Sequence, residues 1–250
     1  MRSLAAAVLL AITLTACAVD DEVPAAAPGP ATTAAPEPPT SAPRPHPGPT
    51  TTSTSTTAPP PRVVFLTEGS TGGGVWELEA RLAELGYWPG TVDAAFDANT
   101  RHAVTALQKV AGVERTGRVD LATEWALRGA LLPAVRNPVG HVIEVDLATQ
   151  VLTIATDGRI DAVFDSSTGK RSTRTPPGTF TLTRQIDALR RSHLGLLYRP
   201  KYFNRGIAVH GATSVPTYAA SHGCVRVTYP AMDHIWAADL APIGTEVTVA

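Results

Sequence analysis

The sequence predicts a mixed fold, in which a small three-helix bundle precedes a mostly antiparallel β domain that is either a sandwich or a barrel. Three observations predict it. Apolar residues recur at helical spacing in segment 63–133, and they alternate with polar residues in segment 138–250. A stretch rich in Pro, Thr, Ala and Ser, residues 17–62, precedes both segments, and a short N-terminal leader, residues 1–16, precedes that stretch.

The leader is typical of a secretory signal peptide. Arg2 supplies a positive charge, and Leu4 to Leu14 form an apolar run that is too short to span a bilayer as a mature helix. The following Leu14-Thr15-Ala16-Cys17 resembles the bacterial lipoprotein box, in which the cysteine becomes the lipidated first residue of the mature protein. The resemblance implies an exported protein that is lipid-anchored through Cys17 to the outer face of the cell membrane. An ordinary signal peptide with an incidental cysteine is the alternative.

The stretch that follows Cys17 is predicted to be a disordered tether. Its Ala, Pro, Thr and Ser side chains bury too little apolar area to offset the entropy of ordering the chain. In polyproline II conformation, with roughly 3.1 Å per residue, such a segment reaches on the order of 100 Å. We therefore expect the folded part to work at some distance above the membrane.

Three short helices are expected in segment 63–133. The first is predicted to end at Gly86, the second to begin at Thr100 as its N-cap and to end at Gly112, and the third to run from about Asp120 to Ala130. The side chains expected to face the core of this bundle are Val75, Leu78, Leu82, Leu85, Ala103, Val104, Leu107, Ala111, Leu121, Trp125 and Leu127.

The same segment carries a recognisable order of turn and core residues: Leu85-Gly86-Tyr87, Val92-Asp93, Phe96 and Gln108. This order resembles the peptidoglycan-binding domain 1 family. Members commonly have glycine after the aspartate and after the phenylalanine, where this chain has Ala94 and Asp97. The resemblance implies a module that docks the protein on the glycan of the cell wall. A spacer, or a lid on the following domain, is the alternative.

Beyond a short predicted hinge, Pro133 to Pro138, the pattern is typical of strands. One helix is also expected, because Pro230 suits a first helical turn and Met232, Ile235 and Trp236 would share a face. The predicted strands are His141 to Leu147, Gln150 to Ala155, Arg159 to Phe164, Gly178 to Thr183, Gly206 to Val209 and Thr245 to Val249.

Cys224, in Ser221-His222-Gly223-Cys224-Val225-Arg226, is the candidate nucleophile. With Cys17 acylated, Cys224 is an unpaired thiol in an oxidising compartment, which favours a catalytic use over a buried structural one. A thiol attacks as its thiolate and needs a base. His210, at the end of a predicted strand, is expected to act as that base across the loop 212–220.

Two backbone features are expected to support this pair. The carbonyl of Gly211 would fix the imidazole tautomer of His210, which is the role that a carboxylate has in a Ser-His-Asp triad. The N–H groups of Gly223 and Cys224 would face a developing oxyanion.

The β segment carries further motifs in a fixed order: Glu144-Val145-Asp146, Ser167-Thr168-Gly169, Thr175 to Phe180, His210-Gly211, and Ser221 to Arg226. These motifs resemble the L,D-transpeptidase catalytic family (YkuD type) over roughly Val142 to Val249. The resemblance implies that Cys224 is the nucleophile, His210 the general base and Gly211 its orienter. The residues implied to shape the site are Ser221, His222, Gly223 and Arg226, and those expected to wall the donor site are Tyr198, Tyr202 and Phe203, with core packing as the alternative.

The reaction that this resemblance implies is a two-step acyl transfer in cell wall biogenesis. Cys224 attacks the carbonyl of the third residue, a diamino acid, of a tetrapeptide stem, and D-Ala leaves. A side-chain amine of a neighbouring stem then attacks the thioester and forms a 3-3 cross-link. No metal or organic cofactor is needed, and carbapenems would acylate Cys224.

Three alternatives stay open at the level of sequence. Water or a free D-amino acid as acceptor would give L,D-carboxypeptidase or exchange activity. The same site could attach a protein to peptidoglycan. The third alternative is a non-catalytic wall-binding lipoprotein.

Charge and composition limit the partners. The formal net charge is -1 and the basic residues are scattered among acidic ones, so the sequence does not predict a nucleic-acid surface. No Cys, His and Asp grouping has zinc spacing. The expected partners are peptidoglycan stem peptides and glycan, and the membrane through the lipid anchor, with the protein as a monomer. Most arginines of the β segment, among them Arg171, Arg174, Arg190, Arg191, Arg199 and Arg205, are expected to be solvated rather than to bind stem carboxylates.

Overall fold

The computed structural model of this chain describes residues 64–250, all of which belong to one compact unit. The predicted signal peptide, the predicted lipidation site Cys17 and the predicted tether lie outside the described residues. No helix within 64–250 is long and apolar enough to cross a membrane.

The first part of the described chain is a helical module with a small β ladder. The three predicted helices are present, and two short strands, which the sequence did not indicate, pair antiparallel. The elements of the helical module are β1 (Val64–Leu66), α1 (Gly73–Glu84), α2 (Ala98–Ala111), β2 (Val119–Asp120) and α3 (Leu121–Arg128).

Helix α2 begins earlier than predicted, because Asp97 and not Thr100 is its N-cap. The Asp97 carboxylate accepts hydrogen bonds from the backbone N–H groups of Asn99 (2.7 Å) and Thr100 (2.9 Å). Thr100 lies inside the helix, where its hydroxyl donates to the buried carboxylate of Glu79 at 2.8 Å. A carboxylate three residues upstream therefore took the capping role that the threonine was expected to have.

Helix α3 buries a different face from the predicted one. Leu121 is 55% exposed and Trp125 is 72% exposed, whereas Leu127 is buried as expected. The buried amide of Gln108 donates to the hydroxyl of Thr123 at 2.9 Å. Because this contact draws Thr123 inward, the opposite side of the helix, with Leu121 and Trp125, faces solvent.

The second part is a β domain of two open five-stranded sheets. Its elements are β3 (His141–Asp146), β4 (Val151–Thr156), β5 (Arg159–Asp165), β6 (Gly178–Thr181), β7 (Arg184–Gln185), β8 (Leu189–Ser192), β9 (Gly195–Asn204), β10 (Ile207–Ala212), β11 (Val225–Thr228), α4 (Tyr229–Ala237) and β12 (Glu246–Val249). One sheet has the order β5-β4-β3-β12-β6, and the other has the order β11-β10-β9-β7 with β8 beside β9.

The sheets pack as a sandwich and do not close into a barrel. Both contribute to one hydrophobic core, with Leu152 and Ile154 from one sheet, Val209 and Val227 from the other, and Met232 from α4. Most strand pairs are antiparallel, as predicted, but β3 pairs with β12 and β10 with β11 in parallel. The parallel pair of β10 and β11 carries the candidate site.

The helical module and the β domain are in direct contact. Val151 of β4 and Val163 of β5 belong to the hydrophobic cluster of the module, together with residues of α1 and α2. Val163 also donates its N–H to the Gly86 carbonyl (2.8 Å) and accepts from the Trp88 N–H (3.1 Å). The predicted hinge, Pro133 to Pro138, is therefore not the only connection between the two parts.

Candidate active site

Two parallel strands bring the predicted catalytic residues to one face of a sheet. His210 lies within β10 and not at its end, and its partner in the ladder is Arg226 of β11. Cys224 immediately precedes β11. Paired residues of a ladder share a face, so Arg226 lies on the same side as His210. Cys224 lines the same cavity as these two residues.

The imidazole of His210 is held by a backbone group. Its Nδ1 and the Gly211 carbonyl oxygen are 2.8 Å apart, the contact expected from the sequence, and Nδ1–H donates in this pair. Nε2 is then the unprotonated nitrogen of the neutral ring. Burial lowers the pKa of His210 to about 4; the Gly211 carbonyl opposes this shift and the nearby Arg226 adds to it. At neutral pH the ring is therefore neutral and can accept a proton.

Cys224 is a free, half-buried thiol. Burial raises its pKa above the ordinary value, while the backbone N–H of Ala208 and the charge of Arg226 lower it and only partly compensate. The sulfur lies 3.9 Å from the Gly206 carbonyl. The resting site therefore pairs a neutral thiol with a neutral imidazole, and a thiolate forms only when a proton is removed.

The loop before Cys224 is fixed by hydroxyl groups. Ser221 donates its Oγ–H to the Cys224 carbonyl (2.5 Å) and accepts from the Gly223 N–H (3.1 Å). Thr175 donates to the Gly223 carbonyl at 2.8 Å. Gly223 has φ 116°, in the region that favours glycine.

These contacts correct one prediction. The Gly223 N–H was expected to face an oxyanion, but it is bonded to Ser221 and Gly223 does not line the cavity. Gly223 therefore shapes the turn, and the Cys224 N–H remains as the expected donor.

A cavity of about 480 Å³ lies over the reactive pair. The hairpin of β8 and β9, which was not predicted, forms part of its wall. The predicted site residues that line the cavity are Cys224, His210, Ser221, His222, Arg226 and Tyr202. Tyr229 and Leu194, which also line it, carried no signal in the sequence that pointed to the site.

Two expected substrate contacts do not face this cavity. Phe203 is 4% exposed and its ring packs against Phe180 in the core, 5.6 Å between centroids. Tyr198 stacks on Tyr229 at 4.3 Å and donates to Asp233 at 2.8 Å. Alternation along β9 explains Phe203, because its neighbour Tyr202 takes the cavity side. Tyr198 does not follow this alternation, because Arg199, with φ 48°, and a shift in register lie between it and Tyr202.

Gly211 is required by the packing beneath the site. A Cβ atom at this position would come within 2.9 Å of the Tyr198 ring, 3.1 Å of the Tyr229 ring and 3.2 Å of Met232. Glycine thus lets β10 lie against the two tyrosines while its carbonyl holds His210.

The cavity wall is cationic. Among the residues described, it is lined by Arg184, Arg190 and Arg226 and by no Asp or Glu. Arg184 lies over the Tyr202 ring at 3.9 Å, and nothing in the sequence singled it out. Arg190 is exposed, as expected, and it also borders the cavity. Asp187 and Asp233, which do not line the cavity, are both bound by Arg199.

Metal chemistry has no evident site in the part of the chain that the structure describes, because no three His, Cys, Asp or Glu side chains in it are grouped to hold an ion. The arrangement consists of a thiol, a base and a cationic wall. It suits acyl transfer from an anionic substrate.

Two family models match the chain. Residues 140–249 match the model described as the L,D-transpeptidase catalytic domain, and residues 71–127 match one described as a peptidoglycan binding domain. A comparison with curated proteins gave no match.

The solved structures that are similar to the chain include three L,D-transpeptidases. The L,D-transpeptidase (residues 123–326) from Xylanimonas cellulosilytica DSM 15894 is 40% identical, with 77% of this chain and 100% of that chain covered and a TM-score of 0.72. An L,D-transpeptidase from Stackebrandtia nassauensis is 22% identical, covering 76% of this chain and 97% of that one, with a TM-score of 0.46. One from Mycobacterium tuberculosis, in complex with a faropenem-derived adduct, is 19% identical over 44% of this chain and 60% of that one, with a TM-score of 0.39.

Proposed function

The chain belongs to the L,D-transpeptidase family, and we propose that it cross-links peptidoglycan with Cys224 as the nucleophile and His210 as its general base. Its two domains make peptidoglycan the partner and the cell wall the place of action. The single observation that carries the proposal is that Cys224 lines one cavity with His210, whose Nδ1–H is bonded to the Gly211 carbonyl so that Nε2 is the proton acceptor.

The first half-reaction begins from two neutral groups. As the Cys224 sulfur forms a bond to the carbonyl carbon of the third stem residue, its proton moves to His210 Nε2. The Cys224 N–H stabilises the oxyanion. The low pKa of His210 makes the imidazolium a strong acid, which protonates the amine of D-Ala as the C–N bond breaks. The product is a thioester on Cys224.

The second half-reaction reverses these roles. The side-chain amine of a second stem attacks the thioester carbonyl and gives a proton to His210. The C–S bond then breaks, and His210 returns a proton to the leaving sulfur. The new amide joins the third residues of the two stems, and the site is restored.

The cationic wall fits the charge of the substrate. A tetrapeptide stem ends in a free carboxylate, and a guanidinium binds such a group with two parallel hydrogen bonds. Arg184 and Arg190, which have no carboxylate beside them in the cavity, would bind the stem carboxylates and orient the scissile amide.

The test uses the chain from Arg62 onward with disaccharide tetrapeptides. We expect release of D-Ala and a cross-linked dimer, both detected by mass spectrometry. Cys224→Ala is expected to abolish turnover, and His210→Gln to lower it by at least about 10³-fold. A Cys224→Ala variant with full turnover would refute the mechanism.

The same experiment distinguishes the alternative functions. Tripeptide without dimer would assign water or a D-amino acid as the acceptor, and transfer only to a protein amine would assign protein attachment. Incubation with a carbapenem should add one adduct mass, confined to Cys224. A Cys224 that is inert to both substrate and carbapenem would indicate a non-catalytic wall-binding protein.

We also propose that Cys17 anchors the chain to the membrane. The support is the Leu14-Thr15-Ala16-Cys17 sequence together with the stretch rich in Pro, Thr, Ala and Ser that follows it. Cys17→Ala should move the protein from the membrane fraction to the soluble fraction, and the wild-type N-terminal peptide should carry an acyl mass. An unmodified Cys17 would contradict this proposal.

A further inference from the structure

A buried lysine of the helical module contacts the β domain directly. Lys109 of α2 has a fully buried side chain, and its ammonium donates to the Asp165 carboxylate at 2.5 Å. It also donates to the carbonyls of Gln150 (2.9 Å) and Ser166 (2.8 Å). The second oxygen of Asp165 is bonded to His102 of the same helix at 2.5 Å. Helix α2 therefore fixes the end of β5.

The segment that follows β5 holds the loop of Cys224 on both sides. Ser167 and Arg226 exchange two backbone hydrogen bonds, of 3.0 and 2.9 Å. The Thr168 carbonyl accepts from the N–H groups of Ala220 and Ser221, both at 2.9 Å. Residues 165–168 thus connect the Lys109 contacts to the residues that flank the nucleophile.

Gln150 links the same two regions. Its carbonyl accepts from Lys109, while its side-chain carbonyl accepts from the Thr168 N–H at 2.7 Å and its amide donates to the Thr168 hydroxyl at 2.8 Å. The side chain of Gln150 is buried. A shift of α2 would therefore reach Thr168, and through it the loop, along two bonded routes.

A second side chain of the helical module reaches the loop itself. The half-buried Arg115, which follows α2, donates to the Thr217 carbonyl at 2.6 Å and lies 3.5 Å from the Ala148 carbonyl. Thr217 lies between β10 and Ser221. Next to it, the Tyr218 carbonyl accepts from the Ser167 hydroxyl at 2.7 Å. The loop is thus held from the module directly and through segment 165–168.

We propose that Lys109 and Arg115 are positioning residues for the acyl transfer: the helical module holds the loop that carries Cys224 in its reactive place. This inference rests on the proposed role of Cys224 as nucleophile. A displacement of a nucleophile by a fraction of an ångström is enough to lower a reaction rate substantially. The module would then serve catalysis in addition to docking on peptidoglycan.

Lys109 suits this role because its surroundings specify one geometry. A buried ammonium has three N–H donors, and here each has an oxygen partner. Burial lowers the pKa of Lys109, and the adjacent Asp165 carboxylate opposes that shift. Removal of the side chain would leave Asp165 and two carbonyls without this donor, so the Lys109→Met variant is expected to lose stability as well as activity.

Substitutions of Arg115 test the proposal without a loss of stability, because the Arg115 side chain is only half-buried. Arg115→Gln is expected to lower kcat for D-Ala release by about tenfold, with KM within about twofold and an unchanged thermal midpoint. The rate of Cys224 acylation by a carbapenem should fall in parallel. A carbapenem is small and reacts without docking of the helical module on glycan, so its rate reports on Cys224 itself. Arg115→Lys should recover part of both rates, and the matched control Arg118→Gln, at an exposed position of the same module, should match the wild type.

Each outcome is decisive. If wild-type turnover depends on Cys224 but Arg115→Gln retains both rates, the positioning role is wrong and the proposed function stands. An equal loss in Arg118→Gln, or a loss that follows only a lowered thermal midpoint, also overturns it. If the wild type releases no D-Ala and forms no carbapenem adduct, the proposed function itself fails.

Discussion

Burial acts in opposite directions on the two reactive side chains. It lowers the pKa of His210 and raises that of Cys224, so neither carries a charge at neutral pH. A resting thiolate would be open to oxidation in an exported protein, whereas a thiol that is deprotonated only with a bound acyl donor is protected. The neutral thiol is therefore less nucleophilic in the resting site, and it is also less readily oxidised.

The pH dependence of acylation follows from these directions. Below about pH 4 His210 is protonated and cannot accept the thiol proton, so carbapenem acylation should fall there and stay level from about pH 5 to 7. Alkylation of Cys224 by iodoacetamide should instead keep rising above the ordinary thiol pKa of about 8.5. Fast alkylation with a plateau between about pH 5 and 7 would contradict a neutral pair.

Arg226 is expected to tune both groups. Its charge lowers the pKa of His210 and of Cys224, so Arg226→Gln should raise both. The fall in the rate of carbapenem acylation at low pH should therefore begin at a higher pH. The rate of Cys224 alkylation at pH 8 should decrease by roughly threefold. The control is Arg171→Gln, at an exposed arginine that does not line the cavity. If the pH dependence of acylation and that of alkylation shift in opposite directions, Arg226 does not act on both groups through its charge.

For individual residues, the sequence predicted which side chains come together in the site, but it did not predict the orientation of some of them. The motifs placed Cys224 and His210 in one site, because a strand and a returning loop suffice for that. The use of the Gly223 N–H by Ser221 depends on a hydroxyl rotamer, and the burial of Phe203 depends on the phase of β9. Residue types alone do not determine either of these two properties.

Among the elements, the entry to α2 is built around an unusual turn. Glu79 of α1 is fully buried, and its carboxylate accepts from the N–H groups of Asp93 and Ala94, both at 3.0 Å, as well as from Thr100. Ala94 has φ 66°, a conformation that costs an L-residue about 1 kcal/mol. The buried carboxylate therefore compensates for the missing glycine.

Ala94→Gly should stabilise the protein by up to about 1 kcal/mol, because glycine adopts this φ without strain. Ala95→Gly, at the exposed neighbouring position, should destabilise it by up to about 1 kcal/mol through the greater entropy of the unfolded chain. Free energies of unfolding from urea titration check both signs. Destabilisation by Ala94→Gly would mean that the turn is not strained.

The elements with strong periodicity were predicted well and the polar ones were not. The helices and the strands β3, β4 and β5 follow from apolar spacing. The strands β7, β8 and β9 were missed because they contain arginines and Pro200, with a break at Arg199, whose φ is 48°. The strand β11 beside the candidate site was also missed, because it has only four residues and begins within the motif that ends at Arg226. The outward side of α3 was missed because a buried polar contact of Thr123, which apolar spacing does not reveal, lies on the inner side of that helix.

For the molecule as a whole, the shared core implies joint stability. Val151 and Val163 are at most 1% exposed, and both pack into the hydrophobic cluster of the helical module. Truncation of the module would expose these side chains and leave Asp165 without Lys109.

We expect the chain from Arg62 onward to unfold in one calorimetric transition, with equal calorimetric and van't Hoff enthalpies. A chain that starts at residue 138 should lose several kcal/mol of stability, since two apolar side chains and a buried ion pair lose their surroundings. Two separate transitions in the longer chain would show that its parts fold independently. The sequence did not predict this coupling, because it indicated a short hinge between the two parts but no contacts between their side chains.

The contact of residues 86–88 with β5 has one more consequence. β5 is the outermost strand of its sheet, and such strands recruit strands of other molecules into aggregates. The carbonyl of Gly86 and the N–H of Trp88 occupy the edge at Val163, which denies that position to a second copy. Because the helical module precedes β5 in the chain, this cover is synthesised before the edge that it protects. Self-association during biogenesis would thus be suppressed without any change in β5 itself.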